Sequence, residues 1–486
     1  MLQSQKLKWV YALAALFILT NAAFLYFEVF WFVLLPFALL LVLYYFFSLD
    51  KLMWFIVFTT PLSVIIKHQD FNIGVSLPTE PFIFGVMVMF FLKLFFEKNP
   101  VDKKLLYHPV TIAIVAHLCW IFITCFTSIM PMVSFKYLLV KLWFIITFYF
   151  VGSHLFKDYS NIKRYMWIYI IPLTGVAIYT IIHHSMYGFE QKPAHWVMNP
   201  FFNDHTSYAA ILAMFFPILL GFVYNSSYSF YIKFVTSLLI VIHALAIILS
   251  YTRAAWLSLV MVLGVYIILE LKIKFRTLAI AFITLVLLFF TFQEQFVMKL
   301  EKNRQDSSDD ISKHVQSISN ISSDASNLER VNRWHAAFKM FKERPVFGWG
   351  PGTYQFKYAP YQLSYEKTII STDFGEKGNA HSEYIGPLCE SGILGSLSFI
   401  LIIGIVIYRA VILYNSMQKS EMKLLLVVMF LGFLTYVIHG SLNNFLDTDK
   451  AAVPFWGFVA AIVAIDIYHS KKLESRIKSQ DIRVKA

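Results

Sequence analysis

One histidine, His381, stands where a polar stretch meets an apolar run, in Gly378-Asn379-Ala380-His381-Ser382-Glu383-Tyr384. A neutral imidazole accepts a proton near neutral pH, so this position suits a general base at a membrane mouth, where a lipid-borne reactant would meet a water-side one. Arg253 closes Ser250-Tyr251-Thr252-Arg253, a gap of a few residues between two apolar runs. It can be a snorkelling anchor or a structural ion pair. It can equally clamp a diphosphate, because guanidinium binds phosphate oxygens in pairs, and the clamp is the reading favoured here. Arg330 and Arg333 lie three apart on an expected helix and so project from neighbouring positions. Alone, such a pair would be a solvated face or a lipid-headgroup contact; with Arg253 on the same side, a shared anionic site emerges. Lys136 and Lys141 fall within an apolar run, where an ammonium needs a partner or a cavity, and are secondary candidates for the same anion.

Other chemistry-bearing residues point less clearly. His183, His184, His195 and His205 gather around one loop, but none forms a compact i, i+4 pair with a glutamate, so no metal site is expected. Asp447-Thr448-Asp449 reads as a solvated loop. Glu390 lies ~13 Å beyond His381 if the intervening segment is helical, too far for direct contact along one helix. It is read as structural, and an orienting carboxylate for His381 would be Glu383 or come from another segment. Cys119, Cys125 and Cys389 sit in apolar runs and form neither a disulfide framework nor a thiolate zinc pattern.

The elements that must position these groups are membrane helices. With 58% hydrophobic and 14% charged residues and a mean hydropathy of +0.63, the 486-residue chain is an all-α polytopic membrane protein. The net charge of +12 does not signal nucleic acid, because Lys and Arg gather in short gaps between apolar runs. Runs long enough to cross hydrocarbon number about fourteen (12–14), eleven of them within residues 1–293 and three within 386–470. The first, at 9–27, is expected to be retained as a helix, because no small-residue cleavage site follows it. The run at 52–66 is short and holds Pro61, which allows one crossing fewer.

Basic residues alternate between gaps: Lys6, Lys8, Lys51, Lys98, Lys103, Lys104, Lys157, Lys163, Arg164, Lys272, Lys274, Arg276, Lys419 and Lys423 share one side with the basic tail 471–486. The positive-inside rule makes that side cytoplasmic, with both termini inside. Residues 294–385 then form one large, mainly helical loop on the outer face. Its 306–326 stretch is rich in Ser and Asp and reads as a mobile, linker-like segment. An amphipathic helix is expected over 327–342, with Leu328, Val331, Trp334, Ala337, Phe338 and Phe341 on its apolar face. The string Gly348-Trp349-Gly350-Pro351-Gly352 is a turn-rich loop.

Several of these pieces together resemble the O-antigen ligase and polymerase superfamily of bacterial envelope enzymes. They are Asn203-Asp204-His205-Thr206, the turn ending at Arg253, Arg330 to Trp334 followed by Arg344-Pro345-Val346-Phe347 and the glycine-rich string, and His381-Ser382 leading to Leu388, Glu390, Gly392 and Gly395. The family often has Asn where this chain has Ser382, and commonly Ser-Arg where this chain has Ser250-Tyr251-Thr252-Arg253.

The resemblance implies a GT-C type glycosyltransferase of the inner membrane with its site facing the periplasm. The donor would be an undecaprenyl-diphosphate-linked glycan, the acceptor a glycolipid such as lipid A core or another hydroxyl compound, and the bilayer the remaining partner. No cofactor, metal or nucleic acid is implied. His381 would be the base and Arg253, Arg330 and Arg333 the diphosphate ligands, which gives an inverting single displacement. A polymerase or a protein O-oligosaccharyltransferase of the same superfamily is the enzyme alternative, and a lipid-linked oligosaccharide flippase the non-enzyme one.

Overall fold

The computed structural model describes residues 2–27, 45, 48–68, 73–98, 100–273, 325–363, 367 and 378–469. The chain divides into two compact units, Met1–Phe55 and Ile56–Ala486. The first contains α1 (Leu2–Tyr26), which covers the first apolar run, and most of α2 (Leu49–Thr59). The expected run at 29–48 lies almost wholly outside the described residues, and the one at 277–293 entirely so.

The second unit is helical almost throughout. Among the described residues ten helices are long and apolar enough to cross a membrane. In chain order they are α3 (Thr79–Phe96), α4 (Pro109–Phe126), α5 (Pro131–Leu155), α6 (Ser160–Ser185), α7 (His205–Tyr224), α8 (Phe230–Leu249) and α9 (Arg253–Glu270). After α10 (Ala325–Glu343) come α11 (Ile385–Ser416), α12 (Glu421–His439) and α13 (Asp449–His469). Each coincides with an apolar run found in the sequence.

One run behaves differently. The apolar stretch from 52 leaves the helix at Thr59, makes a 3-10 turn through Pro61 and continues as strand β1 (Val64–His68), paired antiparallel with β2 (Ile73–Leu77). Proline supplies no N–H for another helical bond, and the β-branched residues that follow suit the hairpin. The eleven-residue α2 is ~16 Å long, well short of the ~30 Å of hydrocarbon.

Helices α7, α12 and α13 form the buried centre of the second unit. Their close approach depends on small residues. A side chain at Gly432 would strike the Met214 carbonyl, and one at Gly457 would strike Tyr165, whose hydroxyl donates to the Val453 carbonyl at 2.6 Å.

At one end of this bundle, α13 starts with a buried polar clasp. Asp449 accepts hydrogen bonds from Ser63 Oγ (2.6 Å) and Thr79 Oγ1 (2.5 Å). Lys450 Nζ donates to the carbonyls of Thr60 (3.0 Å) and Ser63 (2.8 Å). This corrects the solvated-loop reading of Asp447-Thr448-Asp449, since Asp449 is only 1% exposed. Polar groups are tolerated there because they find partners on the segment around Pro61 and the first turn of α3.

The helix α10 also differs from its expected face. Its buried stripe is Glu329, Asn332, Arg333, Ala336, Ala337 and Met340, while Phe338 is exposed and Val331 and Trp334 are half-buried. Polar residues can line that stripe because they are paired within it: Arg333 Nε donates to Glu329 Oε1 at 2.6 Å and Asn332 Nδ2 to Gln362 Oε1 at 2.8 Å.

Candidate functional site

The site is assembled where α10, the segment 344–363, the turn 378–384 and the ends of α7, α9, α11 and α12 converge. Its foundation is a break in α11. Gly392 has φ +70°, ψ −173°, a conformation open to glycine alone, and a Cβ there would run into the Val346 carbonyl. The break leaves carbonyls without helical partners, and the segment 345–354 supplies the missing bonds. Trp349 N–H donates to the Cys389 carbonyl (2.9 Å), Gly350 N–H to that of Glu390 (2.7 Å), and Ile393 N–H to that of Pro345 (3.0 Å). Glu390 Oε1 accepts from Tyr354 N–H at 3.0 Å. Glu390 therefore holds the loop to the helix, the structural role expected of it.

The turn before α11 presents His381 in a left-handed conformation, φ +48°, which is uncommon for a residue other than glycine. Its N–H donates to Asn379 Oδ1 at 3.1 Å, and the carbonyl of the same asparagine receives Arg333 Nη1 at 3.5 Å. Ser382 Oγ accepts from Tyr384 and Ile385 N–H, both at 3.3 Å, which closes the turn leading into α11. A serine does this as an asparagine would, so the departure from the family's usual residue leaves the turn intact. Glu383 does not orient His381. Its Oε1 faces away and accepts from Tyr436 OH (2.7 Å) and from the N–H groups of Phe445 (2.8 Å) and Leu446 (2.9 Å).

Arg333 is 4% exposed and lies over the Tyr358 ring at 4.2 Å, and Tyr354 OH donates to its carbonyl at 2.8 Å. The packing around its guanidinium is tight enough that a side chain at Gly378 would collide with it. Arg330 Nε donates to the Leu442 carbonyl at 3.1 Å. Burial, Arg330 and Arg333 push the His381 imidazole down to about 3, and Asp204 opposes them. Asp204 is held as the N-cap of α7 by the N–H groups of Thr206 (2.8 Å) and Ser207 (2.9 Å). The base candidate is thus neutral at physiological pH and faces two cations and one anion.

Arg253 opens α9. The preceding Thr252 donates its hydroxyl to the His205 carbonyl at 3.3 Å, and Tyr251, left-handed at φ +50°, donates its OH to the Phe189 carbonyl at 3.0 Å. Arg330 acts electrostatically on His205 as well as on His381, so the three arginines and the histidine belong to one end of the bundle.

The two lysines do not join them. Lys136 is exposed and acts on Glu80 of α3. Lys141 Nζ donates to Tyr137 OH at 3.0 Å and is offset by Glu383, Glu390 and Asp447. Lys141 therefore serves as a counter-charge to these carboxylates.

The histidines of the neighbouring loop are bonded internally. His183 Nδ1 pairs with the Val197 carbonyl (2.8 Å), His184 Nε2 with that of Glu190 (2.7 Å), and His195 Nδ1 with His205 Nδ1 (3.1 Å). Among the described residues no three His, Cys, Asp or Glu side chains come together as metal ligands.

Residues 238–400 match the O-antigen ligase family. The match bears out the resemblance carried by the motifs, and it contains Arg253, Arg330, Arg333 and His381 while leaving out Lys136 and Lys141. The chain is a multi-pass membrane protein that carries an O-antigen ligase domain over residues 238–400. Among curated proteins none matches significantly.

Residues that sequence reasoning passed over surround the candidate site, two of them inside the O-antigen ligase domain and His439 beyond it. Asn379 joins base and arginine, Tyr358 lies under Arg333, and His439, at the end of α12, is bonded through Nε2 to Asn443 Nδ2 at 3.1 Å. Only Asn379 had a readable signal: an Asx residue two places before a histidine is a turn former.

Proposed function

We propose that the protein transfers a glycan from an undecaprenyl-diphosphate carrier to an acceptor hydroxyl at the periplasmic face of the inner membrane, as an O-antigen ligase acting on lipid A core. The observation that carries this reading is the junction of His381 and Arg333 through Asn379 inside the matched domain. The alternation of basic gaps supports the orientation.

In the reaction the acceptor oxygen attacks the anomeric carbon as the bond to the diphosphate oxygen breaks. The bonding pair leaves with the diphosphate, and the hydroxyl proton passes to the free nitrogen of His381. A diphosphate leaves readily once its charge is stabilised, and Arg253, Arg330 and Arg333 supply that stabilisation where a divalent ion would otherwise serve. A hydroxyl is a weak nucleophile and needs the base. One displacement inverts the anomeric centre. Lys141 balances the carboxylates beneath the turn and takes no part in donor binding.

The test is transfer by the purified full-length protein in detergent, with carrier-linked glycan and lipid A core. Glycan on lipid A core supports the ligase, and elongated carrier-linked glycan identifies a polymerase instead. Wild-type rates from His381→Ala would exclude the mechanism.

A further inference from the structure

Glu383 lies two residues beyond the proposed base, yet it does none of the chemistry. Its side chain and backbone both grip the segment 440–446. Glu383 N–H donates to the Gly440 carbonyl at 2.8 Å, and one carboxylate oxygen gathers Tyr436 OH, Phe445 N–H and Leu446 N–H within 2.7–2.9 Å. The Leu442 carbonyl, in the middle of that segment, receives Arg330 Nε at 3.1 Å. The segment is therefore held from one side by the residue next to the base and from the other by a diphosphate ligand. His381 needs such an anchor, because its left-handed backbone is unfavourable for a residue with a Cβ and persists only where its surroundings enforce it.

We infer that Glu383 is a positioning residue: by clamping the 440–446 segment it fixes the distance between the His381 base and the Arg330 guanidinium. The inference rests on the function proposed above. It goes beyond that proposal in giving a residue outside the base and the arginines control over the reaction geometry. The role is geometric, since all three donors converge on a single oxygen and a glutamine carbonyl can receive them equally well. A base displaced by ~1 Å loses about 100-fold in rate even when the substrate still binds.

The test uses full-length protein in detergent, with inorganic pyrophosphate as probe. Carbethoxylation of His381 by diethyl pyrocarbonate is followed by mass spectrometry. In wild type, pyrophosphate at ten times its dissociation constant should slow this modification about tenfold, as expected from site occupancy. Glu383→Ala should lose that protection and about 100-fold in turnover per folded molecule, with a lowered melting temperature because three buried donors lose their acceptor. Glu383→Gln should recover both to within about threefold of wild type.

Wild-type protection and turnover in Glu383→Ala would overturn the inference. So would a Glu383→Gln variant as impaired as the alanine one, since the charge would then be what matters. Absence of protection in the wild type would overturn the donor site itself and this inference with it. Should the alanine variant fail to fold, Tyr436→Phe removes one of the three bonds, and undiminished turnover there would count against the clamp.

Discussion

Arg333 and His381 share one asparagine: the Asn379 carbonyl receives Arg333 Nη1 at 3.5 Å, and its side-chain oxygen receives the His381 N–H at 3.1 Å. The proposed anion ligand and the backbone of the proposed base are thereby fixed on a single residue. The arrangement couples them electrostatically, because an imidazole beside two guanidiniums resists taking up a proton.

That coupling sets the pH dependence. Burial, Arg330 and Arg333 press the His381 imidazole down to about 3, so its neutral, proton-accepting form persists well below the ordinary histidine range. A lowered value moves the acidic limb of the rate profile to lower pH, and kcat/KM, which reports the free enzyme, should hold its plateau down to about pH 5. Arg330→Gln removes one cation and should move the limb upward. Profiles of both proteins that break at the same pH, near that of free histidine, would contradict the coupling.

Donor affinity should follow the arginines. Arg253→Glu replaces a proposed phosphate ligand with a repelling charge. Each charge-assisted bond contributes ~1.5–3 kcal/mol, so the donor KM should rise by at least about tenfold while detergent-solubilised protein remains folded. Lys136→Gln, at an exposed position whose charge falls on Glu80, should leave KM unchanged. Equal effects of the two substitutions would argue against the three-arginine site.

The break in α11 can be tested through its glycine. In Gly392→Ala the new Cβ would meet the Val346 carbonyl in a backbone conformation that only glycine adopts easily. The strain costs ~1–3 kcal/mol, and the contact forces the 345–354 segment off the helix. A lower melting temperature together with lost transfer is expected. Gly404→Ala, in the same helix with open space around it, should show neither effect.

The sequence exposed the long apolar helices because hydrocarbon imposes its own length on them, and each described crossing falls on a run visible by composition. It also singled out His381 and the arginines as candidates, since polar groups at helix mouths stand out against apolar neighbours. Features created by distant pairing stayed hidden. The hairpin at 64–77 continues an apolar run and becomes a strand only through its partner. The stripe of α10 with Glu329, Asn332 and Arg333 reads as its solvent side until Gln362 and Asn379 are brought against it. Asp449 looks solvated because the hydroxyls that receive it, Ser63 and Thr79, lie more than 300 residues earlier.

This last pairing gives the clearest stability prediction. Lys450 is 6% exposed, and its ammonium donates to the Thr60 and Ser63 carbonyls and, at 2.8 Å, to Ser63 Oγ. Lys450→Met keeps the length of the side chain but removes all three donors and leaves Asp449 buried without its cation. Lys450 reaches Asp449 through Ser63 Oγ, and orphaning its buried acceptors costs ~1–3 kcal/mol each, so the variant should melt far lower than wild type or fail to accumulate. Thr79→Val removes a single donor to Asp449 and should cost only ~1–2 kcal/mol. The double replacement Lys450→Met, Asp449→Asn should recover part of the loss, because no unpaired charge then remains buried. Thermal melts of the three variants in one detergent would decide it: a double variant no more stable than Lys450→Met would mean that the two residues act independently.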